Sequence, residues 1–305
     1  MIFLSGTLVN QDTILWEKYA LPQLMGLHKK LVFTHIISLT KKTILFFPAM
    51  GTSAHYYQPF VENLYSAGFN VISADLRGNG TSSVRSSRQT DYNYHSILAY
   101  DYQAVVDYAI SKNPSSPVYL LGHSLGGQLS LIYGSINPTK ISGVITLAAG
   151  SAYYNSFKFP KNILVLIVAP LIYSISKILG YFPGRRLGFA GREARGVISD
   201  MAHQARTGRY TSKNSPFNYE NLLSEFQKPI LTIAIMNDKI APKNTIIHLA
   251  KKLSKSKWDF WELPKVSIEK PGTAKVAINH FNWVKDTSLI VNKISNWIET
   301  SEIPD

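Results

Sequence analysis

The residues Gly122-His-Ser124-Leu-Gly126 follow the apolar run Pro117-Val-Tyr-Leu-Leu and lead into Gly-Gln-Leu-Ser-Leu-Ile. This order predicts a short buried strand, a sharp turn with a serine at its tip, and a helix. A strand that turns at once into a helix forces the turn residue into strained backbone geometry, and only small neighbours let the two elements pass so closely. The Gly-x-Ser-x-Gly spacing meets that demand, and the strain holds the Ser124 hydroxyl out toward a base and a substrate. The bare pattern also recurs by chance, so its placement between strand and helix carries the weight.

A serine presented this way needs partners, and on a strand-turn-helix scaffold they follow in the chain order acid, then histidine. Downstream lies Pro229-Ile-Leu-Thr-Ile-Ala-Ile-Met236-Asn-Asp238, a buried-type strand with an aspartate just past its C-terminal end. That is the edge at which sites in open parallel sheets form. The next alternating segment is Trp258–Leu263, and the loop after it carries Asn279-His280-Phe281. Blander readings stand beside these. Ser124 could be a structural elbow residue, Asp238 could cap a helix starting near Pro242, and His280 could be a surface-loop histidine. The other histidines fit a base less well: His123 should point away from Ser124, His248 falls mid-helix, His203 lies in an irregular stretch, and His55 and His95 precede the serine.

Strand patterns recur at 43–47, 70–74, 118–121, 142–147, 230–236 and 258–263, with helical patterns at 56–67, 94–112, 125–136, 245–253 and 288–300. Regular alternation of this kind predicts an α/β fold, with a mostly parallel sheet flanked by helices on both faces. With 305 residues, 45% hydrophobic and only 17% charged, the chain has the material for one large core and is not disordered. Residues 31–39 resemble a further strand, and residues 1–30 receive no assignment. The alternation breaks between Gly150 and about Asn221, where an apolar run over 163–182 precedes a basic run over 185–209. The apolar run is long enough to cross a bilayer, but Pro170, Ser174, Ser176 and Lys177 interrupt it. A pair of helices covering the sheet edge is the expectation, and membrane insertion or surface docking is the alternative.

Four further segments carry a family resemblance: Thr43-Ile-Leu-Phe-Phe-Pro-Ala-Met-Gly51, then Asp75-Leu-Arg-Gly-Asn-Gly-Thr-Ser82, then Gly180-Tyr-Phe-Pro-Gly-Arg-Arg186 and Ala205-Arg-Thr-Gly-Arg-Tyr210. Together with the serine turn they resemble the α/β-hydrolases, on the monoacylglycerol-lipase and serine-aminopeptidase-like branch, in a subgroup whose oxyanion loop reads Pro-Ala-Met-Gly. The resemblance spans about residues 43–300. It implies a hydrolase core over 1–150 and 222–305 and a helical cap inserted at 151–221. It implies Ser124 as nucleophile, His280 as base, Asp238 as its orienting acid, and the backbone N–H groups of Met50 and Leu125 as oxyanion donors. It implies no cofactor and no metal. Asp75 and Arg77 are expected to be structural turn residues. Two departures from the common pattern stand out: Pro48-Ala49 replaces His-Gly in the oxyanion loop, and Asn279 precedes the histidine where Gly is usual. Asn tolerates left-handed geometry, which is the expected reason for the second.

Zero cysteines remove disulfides and thiolate catalysis, and the first residues, Met1-Ile-Phe-Leu-Ser-Gly, do not resemble a secretory signal, so a cytoplasmic location is expected. The net charge of +13 brings contact with anionic membrane into view beside a plain basic surface, while no nucleic-acid-binding signature accompanies it. The expected activity is cleavage of a small-molecule or lipid-like carboxylic ester through an acyl-serine. Amide, thioester and acyl-transfer chemistry on the same triad remain alternatives, as does a non-catalytic lipid-surface protein on this scaffold.

Overall fold

An antiparallel pair, β1 (Leu15–Ala20) and β2 (Lys30–Ile36), opens the sheet. The computed structural model of the chain describes residues 15–20, 30–36, 41–188, 190–265, 267–268 and 276–301. Strand β1 falls where the sequence offered no assignment, because Glu17 and Lys18 break its apolar pattern. The remainder of the 31–39 expectation after Ile36, and the first residues read for a signal, lie outside the described residues.

Strands β3 (Thr43–Phe47), β4 (Asn70–Ala74), β5 (Val118–His123) and β6 (Gly143–Leu147) are buried at every position. That continuous burial is what a parallel sheet covered on both faces requires. Helix α1 (Gln58–Ser66) joins β3 to β4. A longer helical run joins β4 to β5, made of α2 (Tyr94–Ser96), a π-helical segment (Ile97–Tyr102) and α3 (Gln103–Lys112). Helix α4 (Leu125–Ile136) follows the serine turn directly.

Between β6 and the next sheet strand the chain forms a separate group of elements. These are α5 (Lys161–Leu179), a hairpin of β7 (Tyr181–Pro183) and β8 (Arg192–Ala194), α6 (Arg195–Thr207) and α7 (Tyr219–Glu225). The apolar run is thus one helix plus a short strand, and its packing partner α6 comes out of the basic run. Pro170 does not break α5; it removes one N–H, and Ser174 Oγ bonds back to the Pro170 carbonyl at 3.0 Å. Gly180 ends the helix in left-handed geometry, φ 84°, with its N–H on the Ser176 carbonyl at 2.8 Å.

The sheet resumes with β9 (Ile230–Ile235), the edge strand β10 (Trp258–Leu263) pairs parallel to it, and α8 (Lys243–Ala250) links the two. A small hairpin of β11 (Ser267–Ile268) and β12 (Val276–Ala277) precedes the last helix, α9 (Ser288–Thr300). The full order is β1-β2-β4-β3-β5-β6-β9-β10, with β2 antiparallel to both its neighbours and all later pairings parallel. One apolar cluster gathers α3 and α4 side chains on one face of the sheet, and a second gathers those of α1 and α9 on the other. The chain order reverses at β3, which lies between β4 and β5, so the C-terminal ends of β3 and β5 frame the crevice where such sheets place their sites.

Candidate active site

Ser124 caps the N-terminus of α4 with φ 52° and ψ −119°, a conformation that costs a non-glycine residue about 1–3 kcal/mol. The glycines around it explain how that geometry is reached. A Cβ on Gly122 would stand 2.3 Å from the Gly126 carbonyl carbon and the Gly127 nitrogen, and one on Gly126 would stand 2.3 Å from the Phe47 carbonyl oxygen. Strand, turn and helix therefore pass at backbone contact, and the Ser124 N–H is held by the Leu147 carbonyl at 2.9 Å. The serine itself is only partly buried.

Three residues distant in sequence meet at this turn. His280 Nε2 lies 3.1 Å from Ser124 Oγ, and His280 Nδ1 lies 2.6 Å from Asp238 Oδ2. A carboxylate can only accept, so Nδ1 carries the proton and Nε2 is left free to accept from the serine hydroxyl. Asp238 is buried, and its other oxygen takes the Ile240 and Ala241 N–H groups at 2.7 and 3.1 Å. The capping alternative is half right: the aspartate does hold backbone N–H groups, but those of its own loop. Helix α8 starts after Pro242 without a side-chain cap. His280 is likewise buried, 3% exposed, which removes the surface-loop reading.

The residue before it corrects the expectation of left-handed geometry. Asn279 is not among the positive-φ positions; its side chain accepts from the Phe281 and Asn282 N–H groups at 3.0 and 3.1 Å, while its own N–H bonds Asn282 Oδ1 at 2.6 Å. Reciprocal side-chain bonds, not backbone permissiveness, shape the turn that aims His280.

The two expected oxyanion donors lie at the start of α4 and in the loop after β3. Leu125 is the first residue of α4, so its N–H has no acceptor within the helix. Met50 lies in the loop after β3, whose turn is closed by the Thr52 N–H on the Ala49 carbonyl at 3.1 Å. Gly51, φ 71°, touches the segment between β7 and β8: a Cβ there would be 2.2 Å from the Gly191 nitrogen. Asp75 and Arg77 take structural parts, as expected. The Asp75 carboxylate accepts from the Ala54 and Thr81 N–H groups, each at 2.7 Å, and Arg77 forms a buried two-pronged pair with Asp101 at 2.8 Å on both prongs.

A second layer was invisible in the sequence. His123 points away from Ser124, as anticipated, into a fully buried pocket with Tyr57 and Trp283. Trp283 Nε1–H can only donate, so His123 Nε2 accepts it at 3.4 Å and Nδ1–H donates to Tyr57 Oη at 2.7 Å. The same hydroxyl receives the Ala49 N–H at 3.2 Å. Burial, and then the neighbouring His280, push the His123 pKa well below its ordinary value, so it stays neutral beside the reacting histidine. Tyr57 thus ties the loop that carries Met50 to the strand that carries Ser124. Nothing in the helical pattern of 56–67 distinguishes Tyr57 from a core aromatic. Among the described residues, no group of three or more His, Asp or Glu side chains is placed to hold a metal.

The profile of the alpha/beta hydrolase fold matches residues 42–260. The chain belongs to that family. A monoglyceride lipase homolog of Monkeypox virus is 27% identical over 211 residues, covering 67% of this chain and 68% of that protein. Among solved structures, mouse alpha/beta hydrolase domain-containing protein 10 superposes with a TM-score of 0.62 at 16% identity, over 93% of this chain and 98% of that one. The thioesterase domain from the curacin biosynthetic pathway gives 0.56 at 17% identity, over 94% and 100%. At these identities the structural likenesses speak for the fold alone.

Proposed function

We propose that the chain is a serine hydrolase that cleaves a carboxylic ester, with Ser124 as nucleophile. The observation that carries this is the relay from Asp238 Oδ2 through His280 to Ser124 Oγ, at 2.6 and 3.1 Å. Serine hydroxyl is a weak nucleophile at neutral pH and needs a base to take its proton as it attacks. His280 Nε2 takes that proton, and Asp238 steadies the imidazolium that forms. The carbonyl oxygen becomes an oxyanion, stabilised by the N–H groups of Leu125 and Met50, each worth about 3 kcal/mol to the transition state. His280 then protonates the departing alcohol. Water, deprotonated by the same nitrogen, attacks the acyl-Ser124 ester and releases the acid.

Residues 151–221 act as a cap in this reading. Two contacts support it: the turn between β7 and β8 rests on Gly51 beside the oxyanion loop, and Lys161 Nζ donates to the Lys239 carbonyl next to Asp238. The insertion therefore touches both the loop after β3 and the loop that carries Asp238. A lipid-like ester is the preferred substrate class, supported by the viral relative's name and by the apolar character of the insertion.

The test is labelling with a fluorophosphonate, followed by peptide mapping, on wild type and Ser124→Ala. One adduct on Ser124, absent from the variant, supports the reading. Acyl-chain series of p-nitrophenyl esters, matched amides and thioesters then separate the substrate classes. A folded protein that takes no adduct and turns over none of these would be a non-catalytic binder instead.

A further inference from the structure

Helix α5 presents a row of large aliphatic side chains to solvent. Its outward stripe includes Ile163 (48% exposed), Leu164 (59%), Ile167 (61%), Leu171 (57%) and Ile178 (74%), and Phe159 (77%) extends it beyond the N-terminus. Its two buried positions are the small Ala169 and Ser176, with Val165, Val168, Ile172 and Ile175 half-buried beside them. Soluble surfaces scatter such residues singly and do not align them along five helical turns. The charge around the stripe has one sign. Between Asp107 and Glu193 the sequence contains no acidic residue, while 151–192 contains Lys158, Lys161, Lys177, Arg185, Arg186 and Arg192. None of these six makes an ion pair among the described residues, and Lys158, Lys177, Arg185 and Arg186 are exposed.

We propose that α5 docks the protein onto the surface of an anionic phospholipid bilayer, lying in the plane of the interface. The aliphatic stripe enters the boundary between headgroups and acyl chains, and the cations at both ends of the helix meet lipid phosphates and carboxylates. A groove of about 230 Å³ lined by Val165, Leu166, Ala169, His203 and Arg206 separates α5 from α6.

Two alternative occupants fit the observations less well. A second copy packed on α5 about a two-fold axis would set one acid-free, cationic rim against another, with no carboxylate from 108 to 192 to relieve it. A bilayer-spanning α5 would have to leave the fold, yet both its ends are fastened. Lys161 Nζ donates to the Lys239 carbonyl, and Gly180 sits so close to Arg88 that a Cβ would stand 2.7 Å from the Arg88 Cα. The proposal does not depend on the hydrolase reading, because the test below reads binding alone.

The experiment is co-sedimentation of the full chain with preformed vesicles, of phosphatidylcholine alone or with ~30% phosphatidylserine. Three proteins are compared: wild type, the stripe variant I163N/I167N/L171N and the charge variant K158Q/K177Q/R185Q/R186Q. All altered positions are exposed, so thermal melts should coincide and confirm folding. Wild type should bind the phosphatidylserine vesicles and leave them in alkaline carbonate. The stripe variant should bind at least ~10-fold more weakly to either vesicle, and the charge variant should lose the preference for phosphatidylserine. Failure of wild type to sediment, or equal binding by the stripe variant, overturns the proposal. Carbonate-resistant binding overturns it in favour of a spanning helix. A wild-type dimer in analytical ultracentrifugation that the stripe variant lacks, without vesicle binding, overturns it in favour of a second copy.

Discussion

The turn at Ser124 and helix α5 are both built from small and apolar residues, yet they treat those residues in opposite ways. At the turn, the side chains flanking the serine are buried, three glycines bring backbones into contact, and a serine is held at φ 52° against its preference. Along α5, large aliphatics stand 48–74% exposed while Ala169 and Ser176 face the protein. The first region is over-determined by its own neighbours, and that surplus of packing is what sustains the strain. The second is left uncovered by the rest of the chain, which is the observation behind the proposed bilayer contact. Internal packing and an external surface are two different explanations for apolar residues, and exposure tells them apart.

That contrast can be broken most sharply at the serine. Ser124→Ala should lower kcat for ester hydrolysis by at least ~10⁴-fold with a melting temperature equal to or above wild type, because the methyl relieves no packing and removes only the nucleophile. Retained turnover would move the nucleophile elsewhere. Gly126→Ala attacks the scaffold instead. Its Cβ would sit 2.3 and 2.5 Å from the Phe47 and Pro48 carbonyl oxygens, which are backbone and cannot swing away. The expected loss is about 3 kcal/mol or more in chemical denaturation, alongside activity. A variant of normal stability would show that the turn is looser than its contacts imply.

The sequence made the turn legible because its requirement is local: a tight crossing needs glycine at fixed positions, whatever the rest of the fold does. Asp238 and His280 were found through strand order and chain order together, since the Ile230–Ile235 run and the Trp258–Leu263 run fix which loops reach the sheet edge. Tyr57 and Trp283 were not legible, because a core aromatic and an aromatic that bonds a neutral histidine have the same sequence signature. Strand β1 is not legible for the reverse reason: Glu17 and Lys18 interrupt its apolar sequence pattern, which an edge strand tolerates. The role of Asn279 was misjudged because side-chain bonding and left-handed geometry both favour Asn, and only coordinates separate them.

Beside the Gly51 contact lies Glu193 of β8, 4% exposed, accepting the Gly191 N–H at 3.0 Å. Burial raises its pKa from the ordinary 4.5 to about 7. A carboxyl that binds its proton more tightly in the folded state contributes stability below about pH 4.5 and loses it as pH rises through about 7. Glu193→Gln keeps the acceptor without the charge, so it should exceed wild type in stability by about 3 kcal/mol at pH 8 and come close to it at pH 4.5. A difference independent of pH would mean that shape, not ionisation, governs this contact within the insertion.

Tyr57→Phe has a smaller expected effect, because it removes one hydroxyl and leaves the ring. The Ala49 and His123 N–H groups both lose their acceptor in a buried pocket, a cost of about 1–3 kcal/mol in stability. If that hydroxyl also positions the Met50 loop, kcat should fall about tenfold with KM nearly unchanged, the sign of a lost transition-state contact. A stability loss with unaltered kcat would confine Tyr57 to packing.

The smallest effect should come from α5 itself. Ile167→Asn replaces a side chain that is 61% exposed, and in vesicle-free buffer the stability should stay within about 0.5 kcal/mol of wild type. The same aliphatic-to-polar change at Leu45 or Ile145, both 0% exposed, would be expected to unfold the protein. A large loss at Ile167 would mean that the rest of the chain covers α5 in solution after all, and the contrast between the two regions would collapse. An unchanged melt would show that the outward stripe contributes nothing to internal packing, as the proposed bilayer contact requires.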